Sequence, residues 1–402
     1  MNIVYIHSSY KPNDLIGQWF SATKEMVGKK GGKAYFAIKY AKGRQMQKHD
    51  IMVGDSISCG IHCRMFDYFG LQDMFSWFAT KRFLRKLDNV HPDVLHLHVA
   101  NDWFLNMGLL CKYINKHHIK VIWTFHDARV MTGGCPYPNY FGCNGWIKKC
   151  DGTSCRNATF VSSHKILHLA SFTHSYRKKT IGKIKDLTIV TPSVWMSTLV
   201  ANSYLKNHPC FVINNGINLN MFHPVEQNVR ATYAISSDKI ILLSVGNPIW
   251  ELKGRSFLHR LAEELPDKYF FIWIGCIDSD VEKFKNNNRV LALPRVDREQ
   301  LLQFYTAADL FVNPTLADNF PTVNLECQAC GTPVVAFDSD GTKETIAPNA
   351  GMVVPRKKYE ALRDAILNFS FENAGEKSRT FALQYDQNKV MPKYFELYNS
   401  KS

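Results

Sequence analysis

Long apolar runs are missing from this sequence. None of its 402 residues belongs to a run of about 18 or more consecutive apolar residues, which argues against a transmembrane helix. The N-terminal sequence MNIVYIHSSYKPND also lacks the basic start and the long apolar segment of a secretory signal peptide. We interpret MNIVYIH as a first β-strand and expect the protein to stay in the cytoplasm.

Acidic residues are scarce in the first half of the chain. Residues 1–206 hold 28 Lys and Arg but only 12 Asp and Glu, a net charge of +16, whereas residues 207–402 carry −2. The bases cluster at Lys29, Lys30 and Lys33, at Lys81, Arg82, Arg85 and Lys86, and at Arg177, Lys178 and Lys179. The segment Phe75–Asn89 mixes apolar residues with bases, as an interfacial helix does.

This charge asymmetry indicates a partner of opposite charge. No nucleic-acid-binding motif accompanies the bases, so nucleic acid is not expected as a partner. We expect an anionic membrane surface, which would make the protein peripheral on the inner face of the membrane. A basic surface that contacts only solvent is the alternative.

Closely spaced cysteine pairs are missing from the segment that is richest in cysteine. Four of the 11 cysteines lie in one Gly-, Pro- and Asn-rich stretch, at Cys135, Cys143, Cys150 and Cys155. Four thiolates could hold a structural zinc ion, but the spacings lack the C-x2-C pairs of ordinary zinc ribbons. The sequence therefore leaves a structural zinc site and an irregular loop without metal as alternatives. A disulfide framework is not expected in a cytosolic chain.

The remaining composition fits a two-domain globular protein. Apolar residues make up 46% and charged residues 21% of the chain, and 402 residues exceed one ordinary core. Short apolar runs alternate with helical patterns in both halves, which favours parallel sheets covered by helices on both faces. The predicted strands are Ile3–His7, Ala34–Ile38, Val94–His98, Val121–Phe125, Leu187–Val190, Cys210–Ile213, Ile240–Val245, Phe270–Ile274, Val290–Leu293, Leu310–Asn313 and Val334–Phe337. We place the domains at 1–206 and 207–402, with a last helix from Phe381 to Lys401.

The segment from Phe311 to Phe337, FVNPTLADNFPTVNLECQACGTPVVAF, carries the strongest functional signal. It places Asp318 and Glu326 eight positions apart around the start of a helix that Pro321 opens. A helix that begins just after a strand points free N–H groups and a positive dipole end at a nearby phosphate. The spacing suggests one acid near each end of a nucleotide-sugar, and two solvated acids of a helix are the alternative.

This segment resembles the E-x7-E motif of retaining glycosyltransferases of family 4, in the branch of bacterial capsule and colanic-acid-type transferases. Further matches are HLH at His96–His98, HD at His126–Asp127, PSVW at Pro192–Trp195 and NNGIN at Asn214–Asn218. The resemblance implies an α/β fold of two Rossmann-like domains that face a central cleft, the glycosyltransferase B fold. It implies an acceptor-binding first domain, a nucleotide-sugar-binding second domain and a terminal helix, about 381–400, that packs on the first.

The resemblance also implies the donor site in the second half. Lys253 would offset the charge of the diphosphate, and Gly246 would also bind the donor. Asn247 occupies the place of the family's usual arginine, and Arg255 is expected to compensate. Asp318 would face the donor sugar and Glu326 the ribose, while backbone N–H groups around Asn319 and Phe320 would contact the diphosphate.

In the first half, the resemblance implies that His126 contacts the transferred sugar. Asp127 and Gly17 would lie on the acceptor side, and we expect Gly17 in the loop after the first strand. The catalytic residues implied are thus His126, Lys253 and Asp318, and no cofactor is expected for catalysis.

The sequence therefore predicts a retaining hexosyltransferase that uses a UDP- or GDP-sugar. Its acceptor would be a polysaccharide, such as a capsule, or a lipid-linked oligosaccharide. A nucleotide-sugar epimerase or a phosphorylase on the same fold is the enzymatic alternative. The alternative from another class is a non-catalytic nucleotide-sugar-binding subunit.

Overall fold

A computed structural model describes residues 1–8, 15–43, 46–150, 155, 166–246 and 251–400. The chain divides into two compact units. The first unit contains Met1–Ile213 and the chain from Lys393 onward, and the second contains Asn214–Pro392.

The first unit is built on a seven-stranded parallel sheet in the order β3-β2-β1-β4-β5-β6-β7. Its strands are β1 (Asn2–His7), β2 (Lys33–Lys39), β3 (Asp50–Val53), β4 (Val94–Leu97), β5 (Lys120–Thr124), β6 (Leu187–Thr191) and β7 (Cys210–Val212). Its helices are α1 (Leu15–Lys29), α2 (Ser56–Phe69), α3 (Trp77–Val90), α4 (Met107–His117), α5 (Ala170–Thr180) and α6 (Val194–Ala201). The central strands β4, β5 and β6 are buried along their whole length, as in a parallel sheet covered on both faces.

The second unit is built on a six-stranded parallel sheet in the order β10-β9-β8-β11-β12-β13. Its strands are β8 (Ile240–Val245), β9 (Tyr269–Ile274), β10 (Val290–Leu293), β11 (Leu310–Asn313), β12 (Val334–Asp338) and β13 (Met352–Pro355). Its helices are α7 (Val229–Thr232), α8 (Arg255–Glu264), α9 (Asp278–Phe284), α10 (Arg298–Ala307), α11 (Thr322–Ala329), α12 (Tyr359–Leu367) and α13 (Ala374–Ala382), and α14 (Gln387–Asn399) follows.

Two predicted elements lie differently in the structure. The strand at Cys210 was expected to open the second sheet, but Cys210–Val212 pairs with β6 and ends the first sheet. The N–H of Ile189 donates a hydrogen bond to the carbonyl of Pro209 at 2.8 Å, which aligns this strand with β6. The predicted helix from Phe381 is also wrong at its start, because α13 ends at Ala382 and α14 begins only at Gln387.

Helix α14 connects the two units in the chain, since the first unit begins again at Lys393. Pro392 lies inside this helix, at the point where the units divide. Beyond it, Tyr394, Phe395 and Tyr398 are buried. None of the helices in the described part of the chain is long and apolar enough to cross a membrane.

Candidate functional site

Three neighbouring strands of the second unit, β8, β11 and β12, lead into the segments that carry the predicted donor residues. Lys253 lies after β8, Asp318 after β11 and the segment from Ser339 after β12. The carboxyl ends of parallel strands meet at one edge of the sheet, where open α/β sheets bind their ligands.

Lys253 and Asp318 form an ion pair at this edge. The Nζ of Lys253 lies 2.6 Å from Oδ2 of Asp318, and Oδ1 of Asp318 accepts a hydrogen bond from the N–H of Phe320 at 3.3 Å. Lys253 ends a short 3-10 helix, and Gly254 follows with a positive φ of 75°. An added Cβ on Gly254 would lie 2.1 Å from the carbonyl oxygen of Pro314, so this close approach requires glycine. The structure thus brings together the two charged residues that the sequence assigns to the reaction.

The second acid of the motif is buried. Glu326 lies on α11, and the hydroxyl of Tyr305 on α10 donates a hydrogen bond to its Oε2 at 3.2 Å. Burial raises the pKa of the Glu326 carboxyl, while hydrogen bonds from Thr322 and Tyr305 act in the opposite direction. No sequence pattern pointed to Tyr305, which lies 21 positions away from Glu326. The contact of Glu326 with a ribose stays a prediction.

The other predicted donor residues are Gly246, Asn247, Asn319 and Phe320, and those that the structure describes have different surroundings in the second unit. The N–H of Gly246 donates to the carbonyl of Ile274 at 3.1 Å, directly after β8. Asn319 is buried beside Asp318, whereas Asn247 lies outside the described residues. The Phe320 side chain packs in the core of the second unit. Its N–H is already engaged by Asp318, so it is less suited to the predicted contact with a diphosphate.

Arg255, which the sequence assigns to the diphosphate, is held by an acid of its own unit. Its Nη2 lies 2.6 Å from Oδ1 of Asp280, and its Nε lies 3.1 Å from the same oxygen. His259 also contacts this oxygen, at 2.8 Å. The Asp280 side chain is fully buried, so it needs such partners. This engagement favours a structural role for Arg255 over compensation for the missing arginine.

A stack of histidines lies at the carboxyl ends of β4 and β5 in the first unit. Nδ1 of His98 lies 3.1 Å from Nε2 of His126, and the rings of His96 and His98 are 4.2 Å apart. The two nitrogens of the His98–His126 contact share one proton, so at least one imidazole must be neutral. Burial lowers the pKa of His126 and of His98, which keeps both rings neutral at physiological pH.

The last helix and the strands β1 and β5 supply hydrogen-bond partners for this stack that the sequence did not reveal. The hydroxyl of Tyr398 lies 2.7 Å from Nδ1 of His96, and Oγ1 of Thr124 lies 2.9 Å from the other ring nitrogen. The hydroxyl of Tyr5 in turn donates to Tyr398 at 3.2 Å. Burial lowers the pKa of His96 to about 3. His96 is therefore a structural member of the stack, and His126 is the member at its far end.

Asp127 is engaged within its own loop. Its Oδ1 accepts the N–H of Arg129 at 2.8 Å and caps the short 3-10 helix Ala128–Met131. Its Oδ2 accepts Nε of Arg129, also at 2.8 Å. Asp127 thus shapes the loop that follows His126, and its contact with an acceptor stays a prediction.

Gly17 does not lie in a loop, as the sequence analysis expected. It lies inside α1, and its carbonyl accepts the hydroxyl of Ser21 at 2.9 Å. Gly17, Phe20, Thr23 and Val27 are buried at helical spacing. This buried face stabilises the helix in spite of the glycine.

Arg177 was grouped with surface bases, and the structure corrects this assignment. Its side chain is fully buried, and its Nε lies 2.5 Å from Oδ2 of Asp73. Its Nη1 donates to the carbonyls of Arg129 and Thr132, and its Nη2 donates to Gln72. Arg177 therefore holds the loop after His126 against α5 and the segment before α3.

The four cysteines of the predicted zinc site lie near one another. The neighbouring thiols of Cys155, Cys150 and Cys143 add to the effect of burial in raising the pKa of Cys135. Among the described residues, however, no group of three or more His, Cys, Asp or Glu side chains is arranged to hold a metal ion. The thiols as placed do not fit a tetrahedral site, and zinc stays a prediction.

Comparisons with known proteins agree with this architecture. A family model described as glycosyl transferases group 1 matches residues 225–382. D-inositol 3-phosphate glycosyltransferase of Mycobacteroides abscessus is 33% identical over 167 residues, 39% of this chain and 38% of that protein. The match thus spans well under two thirds of this relative. The putative colanic acid biosynthesis glycosyl transferase WcaC of Escherichia coli is 22% identical over 336 residues, 77% of this chain and 76% of WcaC.

A solved structure extends the likeness to the whole chain. The structure of HepE from Anabaena in complex with UDP has a TM-score of 0.68 at 13% identity and covers 100% of both chains. At that identity the likeness establishes the fold alone. Residues 225–382 therefore match the group 1 glycosyl transferases, and the chain as a whole has the glycosyltransferase B fold.

Proposed function

We propose that this protein is a retaining glycosyltransferase that moves a hexose from a UDP- or GDP-sugar to a polysaccharide or a lipid-linked oligosaccharide. The observation that carries the proposal is the ion pair of Lys253 and Asp318 at the carboxyl edge of the second sheet. The named relatives act as precedents, since HepE is known in complexes with UDP and UDP-glucose, and WcaC is assigned to colanic acid biosynthesis.

Lys253 and Asp318 have separate roles in this proposal. The diphosphate of the donor attracts the ammonium of Lys253, which offsets the charge that develops as the sugar departs. Asp318 then accepts a hydrogen bond from a hydroxyl of the donor sugar. Before the donor arrives, the 2.6 Å contact holds both side chains in place, because each neutralises the other.

The reaction needs no covalent intermediate with the protein. The acceptor hydroxyl attacks the anomeric carbon on the face from which the diphosphate leaves, so the configuration is retained. The bond from the anomeric carbon to the diphosphate oxygen breaks, and the departing phosphate takes the proton of the attacking hydroxyl. His126 contacts the transferred sugar as a neutral imidazole.

Product analysis with a panel of nucleotide-sugars tests the proposal. Pure protein is incubated with UDP- and GDP-hexoses, with and without a glycan acceptor, and the products are identified by NMR spectroscopy. We expect release of UDP or GDP and an anomeric configuration in the product equal to that of the donor. Formation of an epimer, inversion of configuration, or binding without turnover would each contradict the proposal.

We also propose that the first unit docks on an anionic membrane on the cytoplasmic side. Helices α2 and α3 expose large apolar side chains there: Ile57 is 74%, Ile61 48%, Trp77 43% and Phe78 74% exposed. The hydroxyl of Ser76, at the start of α3, donates to the carbonyl of Ser58 on α2 at 3.3 Å, so the two helices adjoin. Large exposed apolar groups side by side indicate an interaction surface.

We call the four exposed apolar residues Ile57, Ile61, Trp77 and Phe78 the α2–α3 patch. Bases flank this patch. Lys81, Arg82, Arg85 and Lys86 are exposed on the turns of α3 that follow. The Nζ of Lys81 lies 3.6 Å from the ring centre of Trp77, whereas Arg82 is paired with Asp55. Apolar side chains beside bases suit the boundary of an anionic bilayer, where a lipid-linked acceptor would be found.

A further inference from the structure

Asp340 is a buried acid near the Lys253–Asp318 pair. The reaction proposed above gives Asp340 no role. It follows β12, and its side chain is 2% exposed. Its φ of 54° lies in the left-handed region, which residues other than glycine adopt at a cost. The N–H of the next residue, Gly341, donates to the backbone carbonyl of Asp318 at 3.1 Å. The backbone of this segment is therefore fixed to the segment that presents Asp318.

The carboxyl of Asp340 is poorly compensated. Its Oδ2 makes no hydrogen bond to the described residues. Among the described residues, the cation within 4 Å is Nη1 of Arg356, 3.8 Å from Oδ1, and this nitrogen also donates a hydrogen bond to the carbonyl of Leu316. A buried carboxylate without hydrogen bonds is unfavourable, so this position favours the protonated acid.

We infer that Asp340 is a further residue of the donor site, a carboxyl group that takes up a proton when the diphosphate of the donor binds. The inference rests on the function proposed above, since it needs a diphosphate at Lys253. That anion adds negative charge near Asp340 and draws Lys253 away from Asp318, which leaves the Asp318 carboxylate less neutralised. Both changes favour the neutral form of Asp340.

The charged groups around Asp340 agree with this direction. Burial raises the pKa of Asp340 to about 7, with smaller contributions in the same direction from Asp318 and Asp338, while Arg356 lowers it. The carboxyl is therefore close to half-protonated at neutral pH before any ligand binds. An anion that raised this pKa by about one unit would cause uptake of about half a proton per site at pH 7.5.

Calorimetry in buffers of different ionisation enthalpy measures this proton directly. The probes are UDP-glucose and GDP-mannose, which lack the terminal phosphate monoester that titrates near neutral pH. We expect proton uptake by the wild-type protein with the probe that binds, and an affinity that falls as the pH rises from 7 to 8.5.

The variant Asp340→Asn mimics the protonated acid, and asparagine tolerates the left-handed backbone. We expect it to bind the same probe with no proton uptake and with an affinity that does not depend on pH in this range. The matched control is Asp338→Asn, at the exposed last position of β12, which should keep most of the uptake because Asp338 contributes less than burial to the pKa of Asp340.

The outcomes separate the two proposals. Proton uptake that persists in Asp340→Asn, or wild-type binding without any uptake, would overturn the role of Asp340 and leave the donor site intact. Failure of UDP, GDP and both nucleotide-sugars to bind the wild-type protein would overturn the donor site and this inference with it.

Discussion

The Nζ of Lys253 lies 2.6 Å from Oδ2 of Asp318, although the two residues are 65 positions apart in the sequence. The contact joins segments that follow the neighbouring strands β8 and β11, so the parallel sheet itself brings the two charges together. Lys253 is 40% and Asp318 21% exposed, which leaves both accessible to a ligand.

Replacing Lys253 with alanine should lower kcat about 10²- to 10³-fold, the usual loss when one group that stabilises developing charge is removed. Lys285→Ala, which removes an exposed lysine from the same unit, should leave kcat unchanged. Steady-state rates with the accepted nucleotide-sugar measure both variants. A Lys253→Ala enzyme with the wild-type rate would show that this ammonium does not face the leaving group.

Glu326→Ala should weaken binding of UDP or GDP by about 1.5–3 kcal/mol, because a charged hydrogen-bond partner of the ribose is lost. Tyr305→Phe removes the hydroxyl that contacts Glu326 and keeps the carboxylate, so it should weaken binding less. Calorimetric titration measures both affinities. Equal nucleotide affinity in wild type and Glu326→Ala would contradict the ribose assignment.

Arg177→Ala should lower the free energy of unfolding of the first unit by about 3–5 kcal/mol, because it leaves the carboxylate of Asp73 buried and unpaired. Lys178→Ala, at the exposed neighbouring position, should change it by less than about 0.5 kcal/mol. Urea unfolding followed by circular dichroism compares the variants. Similar stability of the two would mean that the buried pair can be replaced without loss.

Docking of the α2–α3 patch is tested with two variants and vesicles of defined charge. The first variant combines Trp77→Ser with Phe78→Ser and removes exposed apolar groups. The second variant has Gln in place of Lys81, Arg82, Arg85 and Lys86. Both should reduce binding to anionic vesicles, and added salt should weaken wild-type binding because exposed charges are screened over about 8 Å at physiological ionic strength. Activity on a soluble acceptor should not change. If the wild-type protein bound neutral vesicles as strongly as anionic ones, the bases would have to serve another partner.

Zinc at the four-cysteine segment requires the thiols of Cys135, Cys143, Cys150 and Cys155 to move into a tetrahedral arrangement. The zinc proposal predicts about one equivalent of metal in purified protein, retained through dialysis, and its loss in Cys143→Ser. Elemental analysis measures the metal. Metal-free protein in which all four thiols react with a thiol reagent in the native state would decide for a loop without zinc.

The order of strands and helices could be predicted because each buried parallel strand is a short run of apolar residues. Strands β3 and β13 were missed, since both lie at sheet edges and bury only part of their residues. The pairing of β7 depends on a neighbour in space, and no local pattern reveals it. The partners of Asp318 and Glu326 could not be predicted for the same reason.

Site residues that belong to short sequence motifs could be predicted, whereas residues that reach the site only through contacts in the folded structure could not. His126 and Lys253 were found from short motifs, whereas Tyr398 contacts His96 from 302 positions away and belongs to no motif. Asp340 gave no sequence signal, because its environment arises only from burial and from a left-handed backbone. Arg177 was misplaced because a run of three bases, read alone, indicates a surface.

The contact between Tyr398 and His96 also has a consequence for biosynthesis. A ribosome makes the chain from the N-terminus, at about 5–20 residues per second, and domains generally fold as they emerge. The first unit, however, receives Tyr394 and Tyr398 from α14, after the whole second unit has been made. Its histidine stack therefore stays incompletely hydrogen-bonded until residues 214–392 have been synthesised and the end of α14 has followed them.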